Sequence, residues 1–217
     1  MANTEPFDRF SDAYEAWFER NHWAYLSELE AIRRLLPAGL VVEVGVGTGR
    51  FAAPLGIRFG LEPSRGMADR ARGRGIEVVL GQGEFLPLAE ASCDGLLMVT
   101  TICFLDDLHL ALTEAARVLR PKGSLVVGFV DAGSSLGRRY KQRRDQSRFY
   151  RTARFYETDD IVTKLDEAGL VVTKVVQTLM QDPEDLTDTD AIRDGSGQGA
   201  FVAIRAERSG RPATGSE

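Results

Sequence analysis

A chain of 217 residues is long enough to bury one substantial core and short for two. Apolar residues make up 43% and charged residues 27%, an ordinary globular balance. The formal charge of −5 argues against a general nucleic-acid binder, which is normally basic. The longest apolar runs, such as Leu125 to Val130, fall far short of the ~20 residues that cross a bilayer, so no membrane association is expected. Met1 to Glu5 carries neither a basic region nor an apolar stretch and does not read as a secretory signal. Two cysteines, Cys93 and Cys103, cannot build a disulfide framework or a zinc site. Reduced thiols, no metal and a cytoplasmic location are the expectation.

In chain order, residues 7 to 35 read as helical, with Phe10, Ala13, Tyr14, Trp17 and Phe18 on one face, until Pro37 and Gly39 end the pattern. Val41 to Val46 is a short apolar, β-branched run bounded by glycine, as a buried parallel strand should be. Ile57 to Leu61 reads as strand, Ser64 to Arg74 as helix and Ile76 to Leu80 as strand. Gly95 to Thr101 is a further strand, and Asp107 to Leu119 a helix stopped by Pro121, Lys122 and Gly123. Leu125 to Val130 is strand, and Thr158 to Ala168 is helix with Thr158 as N-cap and Gly169 past its end. Leu170 to Met180 and Ala200 to Ala206 both look like strands, with no crossover helix between them, so they should pair antiparallel.

Alternating strands and helices imply an α/β fold, a seven-stranded Rossmann-like sheet with helices on both faces, closed by an antiparallel C-terminal β-hairpin. One domain over residues 1–207 is expected. It carries an N-terminal helical cap at 7–36, a basic and aromatic segment at 132–156 on the substrate side, and an acidic loop at 182–199. Residues 208–217 read as a disordered tail.

The most informative segment runs from Val41 to Phe51: a strand, then Gly45, Gly47 and Gly49 in close succession. Such glycines let the backbone turn sharply and a ligand approach it closely. Seventeen residues after Gly45, Glu62 ends the next strand, where a carboxylate can accept hydrogen bonds from both hydroxyls of a ribose. Loop and acid together indicate a nucleoside-containing ligand at the carboxyl edge of the sheet. A dinucleotide fold would need glycine where Arg50 stands, and the terminal hairpin is foreign to it.

Glu43 to Gly49, an acid followed by Gly-x-Gly-x-Gly, resembles the first motif of class I S-adenosylmethionine-dependent methyltransferases. Leu61-Glu62-Pro63-Ser64, with Met67 in the following helix, is similar to the second motif. Gly81 to Leu88 resembles the third, with Gln82 where the family usually has an acid. Cys93 to Leu97 with Thr100, and Glu114 to Gly123, resemble the fourth and fifth. The resemblance implies S-adenosyl-L-methionine as cofactor, with Gly45, Gly47 and Gly49 along its methionine moiety. Glu62 would hold the ribose, Gln82, Gly83 and Glu84 would lie around the adenine, and Thr100 and Thr101 along the open side. A glutamine at 82 can still bond the exocyclic amine through its side-chain oxygen.

Methyl transfer from a sulfonium is an in-line displacement, so alignment can supply ~7–11 kcal/mol and no strong general base is obligatory. Tyr14, Trp17 and Phe18 form either an aromatic lid suited to a sulfonium or plain packing of the N-terminal helix. His22 can be a base near neutral pH, although an ordinary surface histidine is the commoner case; His109 sits in a predicted surface helix. Asp131 follows the strand Leu125 to Val130 and can orient a substrate amine or cap the next turn. Eight arginines and lysines crowd between Arg138 and Arg154 against one acid, Asp145, with aromatic residues interleaved. A solvated helix face is the usual meaning of such a run. If part of it faces the pocket, Arg151, Arg154 and Tyr156 are the candidates for holding an anionic group on a small-molecule substrate.

A small-molecule methyltransferase is thus the leading reading. An RNA methyltransferase using the basic segment and a non-catalytic cofactor-binding protein are the alternatives. Thr100 to Phe104 does not match the motifs of DNA base methylases. Nothing in the sequence specifies the oligomeric state.

Overall fold

A computed structural model describes residues 4–209. Its spine is an eight-stranded sheet in the order β3-β2-β1-β4-β5-β8-β6-β7. Strands β1 (Val41–Val44), β2 (Phe59–Glu62), β3 (Glu77–Leu80), β4 (Cys93–Val99) and β5 (Leu119–Val130) pair in parallel. β8 (Phe201–Arg208) runs antiparallel between β5 and β6 (Leu170–Thr178). The expected pairing of the last two long strands is present, and the second of them also inserts beside β5. The eighth strand, one more than the sequence suggested, is β7 (Arg193–Asp194), two residues of the acidic segment that pair with Val176 and Gln177. A polar, Gly-rich run gives no periodicity from which so short a strand could be read.

Period-two alternation in the strands builds two apolar layers. Leu96, Met98, Leu125 and Val127 face α6 (Leu108–Val118) and α8 (Thr158–Glu167). Leu97, Val99 and Val126 face the other way, toward α3 (His22–Arg33), α4 (Ala52–Leu55) and Ala71 of α5 (Arg65–Gly73). Both layers bury their side chains almost completely, so the sheet's carboxyl edge is held between two rigid faces.

Beyond shifts of one or two residues at most element ends, three boundaries stand out against the sequence reading. The N-terminal segment is not one helix but α1 (Glu5–Arg9), α2 (Ser11–Arg20) and α3. Phe10 and Asn21 leave helical geometry at the two breaks, and the Asn21 side chain donates to the Trp17 carbonyl at the end of α2. Pro121, Lys122 and Gly123 do not separate helix from strand: β5 already begins at Leu119. Lys122 takes a positive φ of 67°, and the register against β4 shifts between Cys93 and Gly95, so the turn residues form an irregularity within the strand. The N-cap of α8 is Glu157 rather than Thr158, in a reciprocal capping box with Asp160.

At the carboxyl end of β5 the chain turns through Asp131 into α7 (Ser135–Gln142). Asp131 is 8% exposed; its Oδ1 accepts from the Gly133 amide at 2.6 Å, and its Oδ2 from the Thr158 amide at 3.1 Å and the Thr158 hydroxyl. The residue read as a candidate substrate ligand is therefore the tie between this turn and the start of α8. Of the tail expected at 208–217, Arg208 instead closes β8 and the Ser209 amide bonds the Gly169 carbonyl; residues 210–217 lie outside the described residues.

Replacing Asp131 by alanine would leave a buried amide and hydroxyl without partners. Asp131→Ala should lose about 1–3 kcal/mol of stability, read as a lowered urea midpoint. Thr158→Val, which removes only one donor, should lose less.

Candidate functional site

Three chain segments meet at the carboxyl edge of β1, β2 and β4. After β1 the backbone passes through Gly45, Gly47 and Gly49, with φ of 70°, 55° and 84°. These left-handed values are open to glycine and strained for other residues. Each glycine also meets something different. A Cβ on Gly45 would stand 2.5 Å from Thr101, and one on Gly49 2.5 Å from Ile76. A Cβ on Gly47 would approach only the Tyr14 hydroxyl, at 3.4 Å, across open space. Gly45 and Gly47 line the cavity, while Gly49 packs against α5 and the approach to β3.

Glu62, at the end of β2, fastens this loop. Its Oε2 accepts from the Gly47 amide and its Oε1 from the Ser64 amide, both at 2.9 Å. Burial pushes its pKa up to about 7, against the two amide bonds, which hold it down. Glu43 lies beneath the loop and outside the cavity lining. It is 2% exposed, burial raises its pKa well above the ordinary value, and its Oε2 has no partner among the described residues.

At the end of β4, Thr100 holds a φ of 50°, a genuine outlier for a β-branched residue and a common mark of functional sites. Its amide bonds the Gly128 carbonyl at 2.7 Å. Thr101 donates to the Val44 and Val99 carbonyls at 3.1 Å and so buttresses Gly45 from behind. Pro63, Met67, Gln82, Gly83, Thr100 and Thr101 all line the cavity. Glu84 lines it too, but its Oε1 is engaged by the amides of Asp106 and Asp107 at 2.8 and 3.3 Å.

The cavity holds about 640 Å³, within the ~300–1,000 Å³ of small-molecule sites. Its outer wall is aromatic. Phe7, Tyr14, Trp17 and Phe18 come from the N-terminal helices, and Phe104, Tyr140, Phe149 and Tyr150 from the opposite side. Tyr150 stacks on Phe104 and on Tyr140 at centroid separations of 5.8 and 5.4 Å, and Phe7 packs edge-on against Phe104 at 5.0 Å. The N-terminal helices are tied down by polar contacts. Asp8 accepts from the Ser64 hydroxyl at 2.6 Å and the Gly66 amide at 3.1 Å, at the start of α5. Glu15 of α2 accepts from Arg50 Nε at 2.9 Å and from Arg74 at 2.6 Å.

Several sequence candidates fall outside. His22 is exposed beside Trp23 and does not line the cavity. Asp131 is committed to the α8 cap. Arg151 is exposed, and Arg154 spends a guanidinium N–H on the Asp106 carbonyl at 2.9 Å. Tyr156 packs on the α8-side core layer. None of these three lines the cavity, so the residues named for an anionic group are not at the site. From the basic run, Arg143 and Arg148 do reach the lining, joined by Arg20 of α2; all three side chains are solvent-exposed. Glu28 of α3 was missed. It lines the cavity at 4% exposure, and burial alone pushes its pKa up to about 8. A charged residue inside an apolar helical pattern was the only available signal.

Comparison with known proteins agrees with this geometry. Residues 42–127 match the family model described as a methyltransferase domain. The crystal structure of an S-adenosylmethionine-dependent methyltransferase from Thermotoga maritima superposes with a TM-score of 0.93 at 49% identity, covering 95% of this chain and all of that one. A protein of Methanocaldococcus jannaschii is 38% identical over 202 residues, 93% of this chain and 98% of its own length. A methyltransferase of Haloferax volcanii, solved with its activator, shares the fold at a TM-score of 0.72 and 18% identity. The chain belongs to the S-adenosylmethionine-dependent methyltransferases, and S-adenosylmethionine is its cofactor. The residues present fit that cofactor. The space above Gly47 is one that a side chain would fill, a buried carboxylate stands where hydroxyls can meet it, and the Gln82 side chain has no hydrogen-bond partner among the described residues.

Glu28, Glu43 and Glu62 all sit above the ordinary carboxyl value of 4.5. A carboxyl with a raised folded-state pKa adds stability below its unfolded value and loses it as pH rises through the folded one. The ligand-free protein should therefore lose stability between about pH 5 and pH 8, by about 1.4 kcal/mol per pH unit for each group still protonated. Thermal midpoints across this range would show the fall, and Glu28→Gln should flatten its upper end near pH 8. A flat profile in the wild type would contradict these assignments.

Proposed function

We propose that this methyltransferase acts on a small molecule held in the aromatic half of the cavity. The observation that carries this reading is the cavity itself: about 640 Å³, a small-molecule size, with aromatic residues of α1, α2 and the segment after α7 in its wall. Part of the arginine run, which an RNA substrate would need, is engaged within the chain. Arg139 pairs with Asp182, Arg144 with Asp145, and Arg154 with a carbonyl. The Thermotoga maritima relative is described as a possible histamine N-methyltransferase, which is a small-molecule activity.

In this reading, Gly45 and Gly47 let the backbone lie along the methionine part of the cofactor, and Glu62 receives the ribose hydroxyls. Pro63, Met67, Gln82 and Gly83 bound the adenine, with Glu84 positioning the 106–107 turn behind it. Bound S-adenosylmethionine supplies an electrophilic methyl group on a sulfonium. The chain contributes alignment, through the rigid strand ends at Gly45 and Thr100, and exclusion of water, through the aromatic roof. Tyr14 reaches toward Gly47 with a phenol that burial, and then the Glu62 charge, pushes far above its usual pKa, so it stays neutral and can only share hydrogen bonds. Faces of Tyr14 and Phe149 near a sulfonium add cation–π attraction.

Gly47→Val should abolish cofactor binding, because a β-branched side chain fills the gap below Tyr14 and strains a φ of 55°. Calorimetry with S-adenosylmethionine reads this directly. Incubating wild type with methyl-labelled cofactor and a cell extract should place label in compounds that pass an ultrafilter. Label retained in RNA or protein would overturn the small-molecule reading.

A further inference from the structure

Three carboxylates line the cavity, and their surroundings differ. Glu62 receives two backbone amides and Glu84 two others. Glu28 receives none: among the described residues no donor or cation reaches it, although it is 4% exposed. A carboxylate taken out of water without a partner is costly unless something else meets it. Its elevated pKa of about 8 has burial as its only cause, which agrees with a group that lacks a compensating donor.

Glu28 also stands in a defined chemical setting. Glu28 is the leading carboxylate acting on the buried phenols of Tyr140 and Tyr150, whereas Glu62 leads at Tyr14, so Glu28 stands toward the Tyr140–Tyr150 wall of the cavity. Trp17 and the stacked Tyr140–Tyr150 pair belong to the same walls. The Tyr140–Tyr150 wall thus has one lining acid, Glu28, beside aromatic faces. The cations of the site, Arg20, Arg143 and Arg148, have exposed side chains and stay in water. An anionic substrate would be met only by these, whereas a cation with an apolar body would be met by a buried carboxylate and by ring faces.

We infer that Glu28 is a specificity-determining residue that pairs with the ammonium group of an amine substrate whose apolar or aromatic body lies against Trp17, Tyr140 and Tyr150. This rests on the proposed function, since it takes the aromatic half of the cavity as the acceptor site. It gives the small molecule a class, an aromatic amine, and assigns Glu28 its recognition. The pairing also removes the cost of the unpartnered carboxylate, so binding should ionise Glu28.

Matched probes test this without knowledge of the natural substrate. Protein saturated with S-adenosylhomocysteine would be titrated with phenethylamine and with 2-phenylethanol, then with tryptamine and with tryptophol. At pH 8.5 Glu28, with a pKa pushed up to about 8, is mostly ionised, and an alkyl ammonium, near 10.4 for lysine, keeps its proton. In the wild type at least one amine should bind tenfold or more tightly than its alcohol, and in Glu28→Gln that preference should vanish while S-adenosylhomocysteine binds as before. Equal affinity of amine and alcohol in the wild type overturns the inference with no variant needed. So does a preference that survives in Glu28→Gln. Failure of the wild type to bind S-adenosylhomocysteine would overturn both this inference and the function it rests on.

Discussion

One buried carboxylate organises the glycine-loop end of this protein. Glu62 sits at the end of β2 and draws in the amide of Gly47 from the loop after β1 and the amide of Ser64 at the start of α5. Two strand ends and one helix start are held in register by its two oxygens. A carboxylate that accepts backbone N–H groups is stabilised where it would otherwise be expelled by burial. Glu62 also lines the cavity, so the group that builds the loop is the one proposed to receive the ribose. Everything else at this end follows. The glycines accept left-handed backbone because the loop must reach Glu62, and Thr101 fills the space that a side chain on Gly45 would need.

The roof depends on a second set of ties. Asp8 reaches the start of α5 and Glu15 reaches Arg50 and Arg74, so short N-terminal helices are fastened to the glycine loop by charge-assisted bonds. Tyr25 adds a bond from its hydroxyl to the Arg50 carbonyl at 2.6 Å. Arg50, the residue that separates this loop from a dinucleotide fingerprint, therefore anchors the N-terminal helices. From the other side, Arg139 pairs with Asp182 and the Asp190 carboxylate caps the chain at Met180 and Gln181, so the acidic segment is bound to the fold rather than loose.

Strands with apolar β-branched cores and the starts of helices were legible from the chain alone, as Val41–Val44, Ser64 and Asp107 illustrate, while the one N-cap named, Thr158, fell a residue late. Those signals are local. The glycine loop and Glu62 were legible because a backbone that must turn sharply leaves few choices of residue. The breaks at Phe10 and Asn21 were not, since nothing in a helical period marks where a lid must bend. Thr100 gave no warning of its left-handed backbone, which is imposed by the neighbouring strands. The substrate side was the least legible. Arg151 and Arg154 looked nearest the pocket by sequence position, yet Arg154 turns to the Asp106 carbonyl and Arg151 to solvent. Glu28 looked like one charge in a long helix, and only the folded chain brings it to a cavity that α2 and α7 also line.

The central claim is that Glu62 both builds the loop and binds the cofactor. Calorimetric titration of S-adenosylmethionine into wild type and Glu62→Ala tests it most directly. Loss of hydrogen bonds to a charged group should weaken binding by about 1.5–3 kcal/mol, roughly tenfold to a hundredfold. Equal affinity in the two proteins would contradict the account.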